Sequence, residues 1–219
     1  MNLIAAPATP GPVLDTDTKI RSRETAVAIR QAGFVGVGRY LPLPNNNAAE
    51  DVDAAELELI CGVGLFAWLI QHPRFPGWRP ADHSGAADAL AAVQRARMAG
   101  YPQRCHAFLD IEGVDGTSEE TRVWATSWLA TVRVSGFGGG VYQGYQCPMT
   151  PVELYYLHNA NSYGSDWGNR DVAQRGIAWK QTEHDVVVAG LKVDKGIIRP
   201  DRMGEVPIVC FAETSAAAA

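Results

Sequence analysis

Apolar and polar positions change period in blocks along the chain. Residues 12–17 (PVLDTD) form a short apolar run that ends in acids. Residues 21–33 (RSRETAVAIRQAG) carry helical spacing and stop at Gly33, the residue type best suited to close a helix. FVGVGRYL (34–41), rich in Val, Phe and Tyr, predicts a strand, and the proline and asparagine of PLPNNN predict a loop. Residues 53–64 start as a helix and break at glycines, LFAWLIQH (65–72) reads as a buried strand, and PRFPGWRPADHSG as a long loop. The alanine-rich stretch 85–100 predicts a helix ended by Gly100. A strand follows over 106–113 (HAFLDIEG), then a helix over 116–136 whose entry fits a capping box. Beyond it come a strand at 138–145, a short helix at 150–160 with Pro151 in its first turn, and extended stretches at 176–181 and 190–199. The intervening TEHDVVV has no helical spacing.

Strand–helix alternation of this kind indicates parallel α/β architecture. The first strand–helix turn lacks G-x-G-x-x-G, and no Walker lysine follows the glycines at 136–140, so a nucleotide-binding open sheet has no phosphate cradle. The expectation is therefore a single-domain (β/α)8 TIM-like barrel over residues 11–212. A flexible segment (1–10) would precede it, and a disordered alanine-rich tail (213–219) would follow. In such barrels the chemistry sits at the carboxyl ends of the strands.

Composition narrows the function. The formal charge of −5 leaves no basic footprint for nucleic acid, and no apolar run reaches the ~20 residues that span a bilayer, so neither nucleic acid nor membrane is an expected partner. The N-terminus lacks a basic segment before its short apolar stretch, which leads to the expectation of cytoplasmic synthesis, with release or delivery to the cell wall by phage lysis or a secretion system. Cys61, Cys105, Cys147 and Cys210 form no C-x-x-C pair, and the histidines show no metal-binding spacing. No metal and no cofactor are expected.

The acids are the informative feature. Asp15 and Asp17 end the first strand, Asp110 and Glu112 the central one, and Asp194 lies on the last. Residues two apart on a strand share a face, so Asp110 and Glu112 can enter one cleft. Glycoside cleavage needs this combination: one protonated carboxyl to donate to the leaving oxygen, and negative charge near an oxocarbenium-like transition state. Crowded carboxylates raise each other's proton affinity, which keeps one protonated near neutral pH. Glu112, on the longer arm, is the candidate acid, Asp110 orients or stabilises, and Asp15 and Asp194 tune the cluster or bind substrate. Two blander readings stand beside this: strand-end acids that cap helices or pair with arginines, and a hard-cation site. Trp167, Trp179, Tyr142 and Tyr145 are candidates to line a glycan cleft, Gln143 and Gln181 to bond sugar hydroxyls, and Arg39 to pair with the acids. Trp124 and Trp128, at i,i+4 on one helix, read as core.

Four stretches carry a resemblance. They are VLDTDT followed by a helix and GFVGVGRY (33–40); AAELELICGVGL; GAADALAAVQRARMAGYP (85–102) leading into HAFLDIEG; and AWKQTEHDVVVAGLKVDKG (178–196). In this order they resemble the glycoside-hydrolase-like barrel domain of bacterial and phage proteins, a domain-of-unknown-function family related to the family 25 lysozymes. The resemblance implies that Asp15, Asp110, Glu112 and Asp194 are the active-site acids with Glu112 as proton donor, and that peptidoglycan or a related bacterial glycan is the substrate of a lysozyme-like hydrolase. The rival reading is a non-catalytic barrel that binds glycan or a protein partner and retains the acids.

Overall fold

The computed structural model describes residues 1–45, 49–166, 168 and 171–213. Each described α-helix starts where a short polar side chain captures a free backbone N–H. Ser22 caps α1 (Arg23–Gln31), Asp53 caps α2 (Ala54–Cys61), and Ser84 caps α3 (Gly85–Met98). Thr117 with Glu120, and Thr150 with Glu153, form full capping boxes on α4 (Ser118–Val134) and α5 (Pro151–Tyr155). The strands are β1 (Leu3–Pro7), β2 (Gly11–Asp15), β3 (Gly36–Leu41), β4 (Phe66–Gln71), β5 (His106–Ile111), β6 (Gly138–Gln143), β7 (Ala160–Ser165), β8 (Trp179–Val188), β9 (Leu191–Ile198) and β10 (Ile208–Ala212).

Strands β2 to β8 run parallel in chain order, and β9 closes the ring by pairing antiparallel with both β8 and β2. The result is the expected closed eight-stranded α/β barrel in a single domain, with one departure from a regular repeat. The last strand arrives by a hairpin, so TEHDVVV continues β8. Residues 1–10, expected to be loose, instead contain β1, which pairs along its whole length with β10. Strand β10 meets β4 at Cys210↔Ala67, below the short β4–β5 pairing at Leu69↔Ala107 and Ile70↔Phe108. There the Ile208 N–H donates to His106 Nδ1 at 2.7 Å, so the β1–β10 ribbon closes the amino-end floor of the barrel. The expected tail lies outside the described residues apart from Glu213.

The interior is filled by large aromatics set against glycines. Phe66, Trp68, Phe108 and Trp179 are all fully buried inside the ring. Their lateral register partners are Gly36, Gly38, Gly140 and Gly164. A Cβ on these glycines would lie 2.2 Å from the Phe66 ring, 2.8 Å from Trp68, 2.5 Å from Phe108 and 2.4 Å from Trp179. The rings lean on one another, with Trp68 and Trp179 edge-on at 5.2 Å and Phe108 and Trp179 edge-on at 5.7 Å. A second core lies between barrel and helices. It includes Trp124 and Trp128, as their spacing predicts, with Trp124 donating to Asp88 at 3.0 Å and Trp128 to Gln71 at 2.6 Å.

Gly36→Ala should therefore destabilise the fold by about 1–3 kcal/mol through overpacking against Phe66. Adding Phe66→Leu should recover part of that loss. Urea denaturation of the two single variants and the double variant checks the coupling.

Candidate functional site

The carboxyl ends of the parallel strands point away from the β10 floor, and the acids gather there. Asp15 is the last residue of β2 and the register partner of Asp194 on β9. Asp110 lies on β5 beside Tyr142 of β6, and Glu112 stands one residue beyond β5. A cleft of about 250 Å³ opens above the aromatic plug, lined by Asp110, Glu112, Asp166, Asp194, Gln181 and Tyr142, with Tyr40, Ile70, Tyr145, Trp179 and His184 completing the wall. Asp15 adjoins it through Gln181. The Gln181 amide donates to both Asp15 oxygens at 3.2 and 3.0 Å and to Asp194 at 3.4 Å, while its carbonyl accepts from Tyr142 Oη at 2.6 Å. Tyr40 Oη also donates to Asp15, at 3.2 Å. Asp194 accepts from the Asp185 N–H at 2.8 Å and lies 3.3 Å from His184 Nδ1.

Asp110 has a different environment. It is buried, and its Oδ1 has no hydrogen-bond partner among the described residues. An ionised carboxylate is costly in that position, so burial first, then Glu112 and Asp15, push its pKa well above the ordinary carboxylate range. Burial also pushes Glu112 up to about 7, reinforced by Asp166 and Asp194 and opposed by His184. Asp15 rises to about 7 as well: burial and the Asp194 and Glu112 charges outweigh the Gln181 and Tyr40 hydrogen bonds. The site can therefore hold protons into the neutral range.

Glu112 is fixed by its surroundings. Its carbonyl accepts from Trp78 Nε1 at 2.8 Å, and the next residue, Gly113, turns the chain with φ +65°. A Cβ at Gly144 would stand 2.1 Å from Glu112 Oε2, so the glycine at the exit of β6 is what gives this carboxyl its space.

The structure brings Asp110, Glu112, Asp194, Tyr142, Tyr145, Trp179 and Gln181 to one cleft, with Asp15 at its edge. It corrects two of the binding residues expected from the sequence. Arg39 is fully buried on the outer face of β3, paired with Glu56 at 2.6 Å and donating to the carbonyls of Thr16 and Glu50, so it cannot serve the acids. Gln143 is buried on the face of β6 opposite Tyr142 and does not line the cleft. Trp179 forms the floor of the cleft within the aromatic plug and is only 1% exposed, which rules out an open stacking platform. Trp167 lies outside the described residues. Sequence reasoning missed Asp166 and Tyr40. Asp166 follows ANSYGS, in which Tyr163 alone is a good strand former, although an acid just past a strand end is the same signal that marked Asp110 and Glu112.

Similarity to known proteins bears on the chain as a whole. Its fold is similar to that of the Tat-secreted protein Rv2525c of Mycobacterium tuberculosis, at 20% identity over 90% of this chain and 99% of that one, with a TM-score of 0.66. It is similar to an uncharacterized B. stearothermophilus protein at 18% identity, covering 86% of this chain and 95% of that one, with a TM-score of 0.63. A third similar structure is the modular autolysin LytC from Streptococcus pneumoniae in complex with a synthetic peptidoglycan ligand. There the identity is 12% and the TM-score 0.63, and 87% of this chain covers 47% of that one. No curated protein matches the chain in sequence. The expectation of cytoplasmic residence is corrected by this comparison, since a protein of similar fold is Tat-secreted. The model of the Rv2525c-like, glycoside hydrolase-like domain matches residues 27–195, which run from α1 through the acids of β5 to Asp194 on β9, and the chain belongs to that family.

Proposed function

We propose that this protein is a glycoside hydrolase that cleaves peptidoglycan or a related bacterial glycan, with Glu112 as proton donor. The observation that carries the reading is the Asp110–Glu112 pair: two carboxyls on one face of a strand end, both raised in proton affinity by burial, at an open cleft above a dry aromatic floor. Glu112, partly exposed and lining the cleft, donates its proton to the leaving glycosidic oxygen. Asp110, whose own proton affinity Glu112 raises, lies with it in the cleft beside the sugar. Asp15 and Asp194, tied together by Gln181, provide further acid groups along the wall, and Tyr142 holds Gln181 in place. The peptidoglycan ligand of the LytC structure and the export of Rv2525c support a cell-wall substrate met outside the cytoplasm.

One observation favours a binding barrel instead. Both oxygens of Asp15 are already bonded to Gln181, as befits a group built for structure. The two readings separate on Glu112→Gln. For a hydrolase this change should lower the rate of peptidoglycan solubilisation by about 10²–10⁴-fold while the protein still sediments with the insoluble wall. Zymography and pull-down with wild type alongside measure both, and unchanged clearing by the variant would overturn the assignment of the acid.

The pH profile follows from the same group. Glu112 must be protonated to act, and its folded value is about 7, so kcat/KM should fall as pH rises through about 7. Stability shifts in the same window. The folded pKa lies above the ordinary value of 4.5, so the folded state binds more protons than the unfolded one between about 4.5 and 7. The wild-type acid therefore costs stability as pH rises through that range. Glu112→Gln should be more stable than wild type by about 1–2 kcal/mol at pH 8, below full linkage because the carboxyl is partly solvated, and the gain should vanish near pH 4. Urea titrations at the two pH values check the sign.

A further inference from the structure

A second groove, of about 510 Å³, adjoins the acid cleft and shares two residues with it, Glu112 and Tyr145. Its character is different. Leu43, Pro44, Pro73, Phe75 and Pro76 make most of its surface apolar, and it contains none of the aspartates of the cleft. Phe75 is 93% exposed and Tyr145 is 44% exposed. Together with the leucine and prolines around them, the two rings form one contiguous exposed apolar patch, the kind of surface that marks a ligand groove.

The loop that carries Phe75 is braced. Gly77 N–H donates to the Gly113 carbonyl at 2.7 Å, Asp115 N–H to the Trp78 carbonyl at 2.9 Å, and Gly113 N–H to the Tyr145 carbonyl at 2.9 Å. Trp78 donates to the Glu112 carbonyl at 2.8 Å, and Arg74 is anchored to the buried Asp88 at 2.7 Å. The segments bearing Phe75, Glu112 and Tyr145 are thus bonded into one unit, and the prolines near Phe75 stiffen it further. A surface held this way loses little freedom when a ligand covers it.

Glu112 stands on the border between the two spaces, which sets their order along a substrate. A proton donor must sit beside the oxygen that joins the two sugars. One sugar then lies with Asp110 and Asp194, where positive charge develops, and the next lies on the far side of Glu112. We infer that the Phe75–Tyr145 groove is the subsite for the leaving-group sugar, whose apolar C–H face packs on the two rings. This rests on the hydrolase reading for the order of the sugars. The groove as a glycan-binding surface stands on its own geometry.

The test measures binding of soluble glycan strands, released from peptidoglycan by amidase treatment, by isothermal titration calorimetry. The full chain carries Glu112→Gln so that strands stay intact. Adding Phe75→Ala or Tyr145→Ala should weaken strand binding about tenfold, whereas Phe75→Trp should retain it. In the active protein, Phe75→Ala should raise KM for strands with kcat little changed. Phe75 is exposed, so its loss leaves the core intact, and an unchanged circular dichroism melt confirms that. Equal strand affinity with and without Phe75, or displacement of strands by free stem peptide, would overturn the inference even if the protein clears cell walls. Failure of wild type to clear walls, together with tenfold weaker binding by Phe75→Ala, would sink the hydrolase reading and leave the groove as a glycan-binding surface.

Discussion

The structure depends on one packing constraint: an eight-stranded ring cannot hold four large aromatics unless the strands beside them give up their side chains. Phe66, Trp68, Phe108 and Trp179 each sit beside a glycine in register, and no Cβ could be added at those glycines without overlapping a ring. The rings then fill the barrel from wall to wall. A filled interior excludes water, and the layer directly above it is where Asp15 and Asp110 are set. The raised proton affinities of the acids follow from that dry floor as much as from their mutual repulsion, since burial is the leading cause for Asp15, Asp110 and Glu112 alike. Packing that stabilises the fold thus also supplies the electrostatics of the site.

The site combines two kinds of acid. Asp15 is held by a tyrosine and a glutamine amide, which satisfy its oxygens and fix its position. Asp110 lines the cleft and keeps a buried oxygen without a partner among the described residues. The contrast separates the residues that build the wall from those available to a ligand. Glu112 belongs to the second kind, with its backbone tied down and its carboxyl given room by Gly144.

Much of this is legible in the sequence, and what is not legible shares a cause. Strands rich in Val, Phe and Leu, helices with polar caps and acids at strand ends all show in a single chain, because local propensity and burial there agree. Asp110 and Glu112 stand out because two carboxylates on one face, at the end of an apolar run, are costly to bury. Arg39 and Gln143 turn on a question of facing. Tyr40 and Tyr142 point into the barrel, so their immediate neighbours must point out, toward Glu56 in one case and into the helix layer in the other. β7 escapes a local reading because Asn, Ser and Gly form a strand only when both neighbouring strands hold them there. β1 and β10 escape it because their pairing joins opposite ends of the chain, which no local pattern can show.

That terminal ribbon has a bearing on how the domain can be attached to anything else. Leu3 lies opposite Ala212 at the base of the barrel, while the acids open at the other end. Any segment spliced on before the first strand or after the last would emerge side by side with the other, from the pole farthest from the cleft. A tether at either end, to a surface or to another module, would leave the mouth of the barrel facing outward and unobstructed.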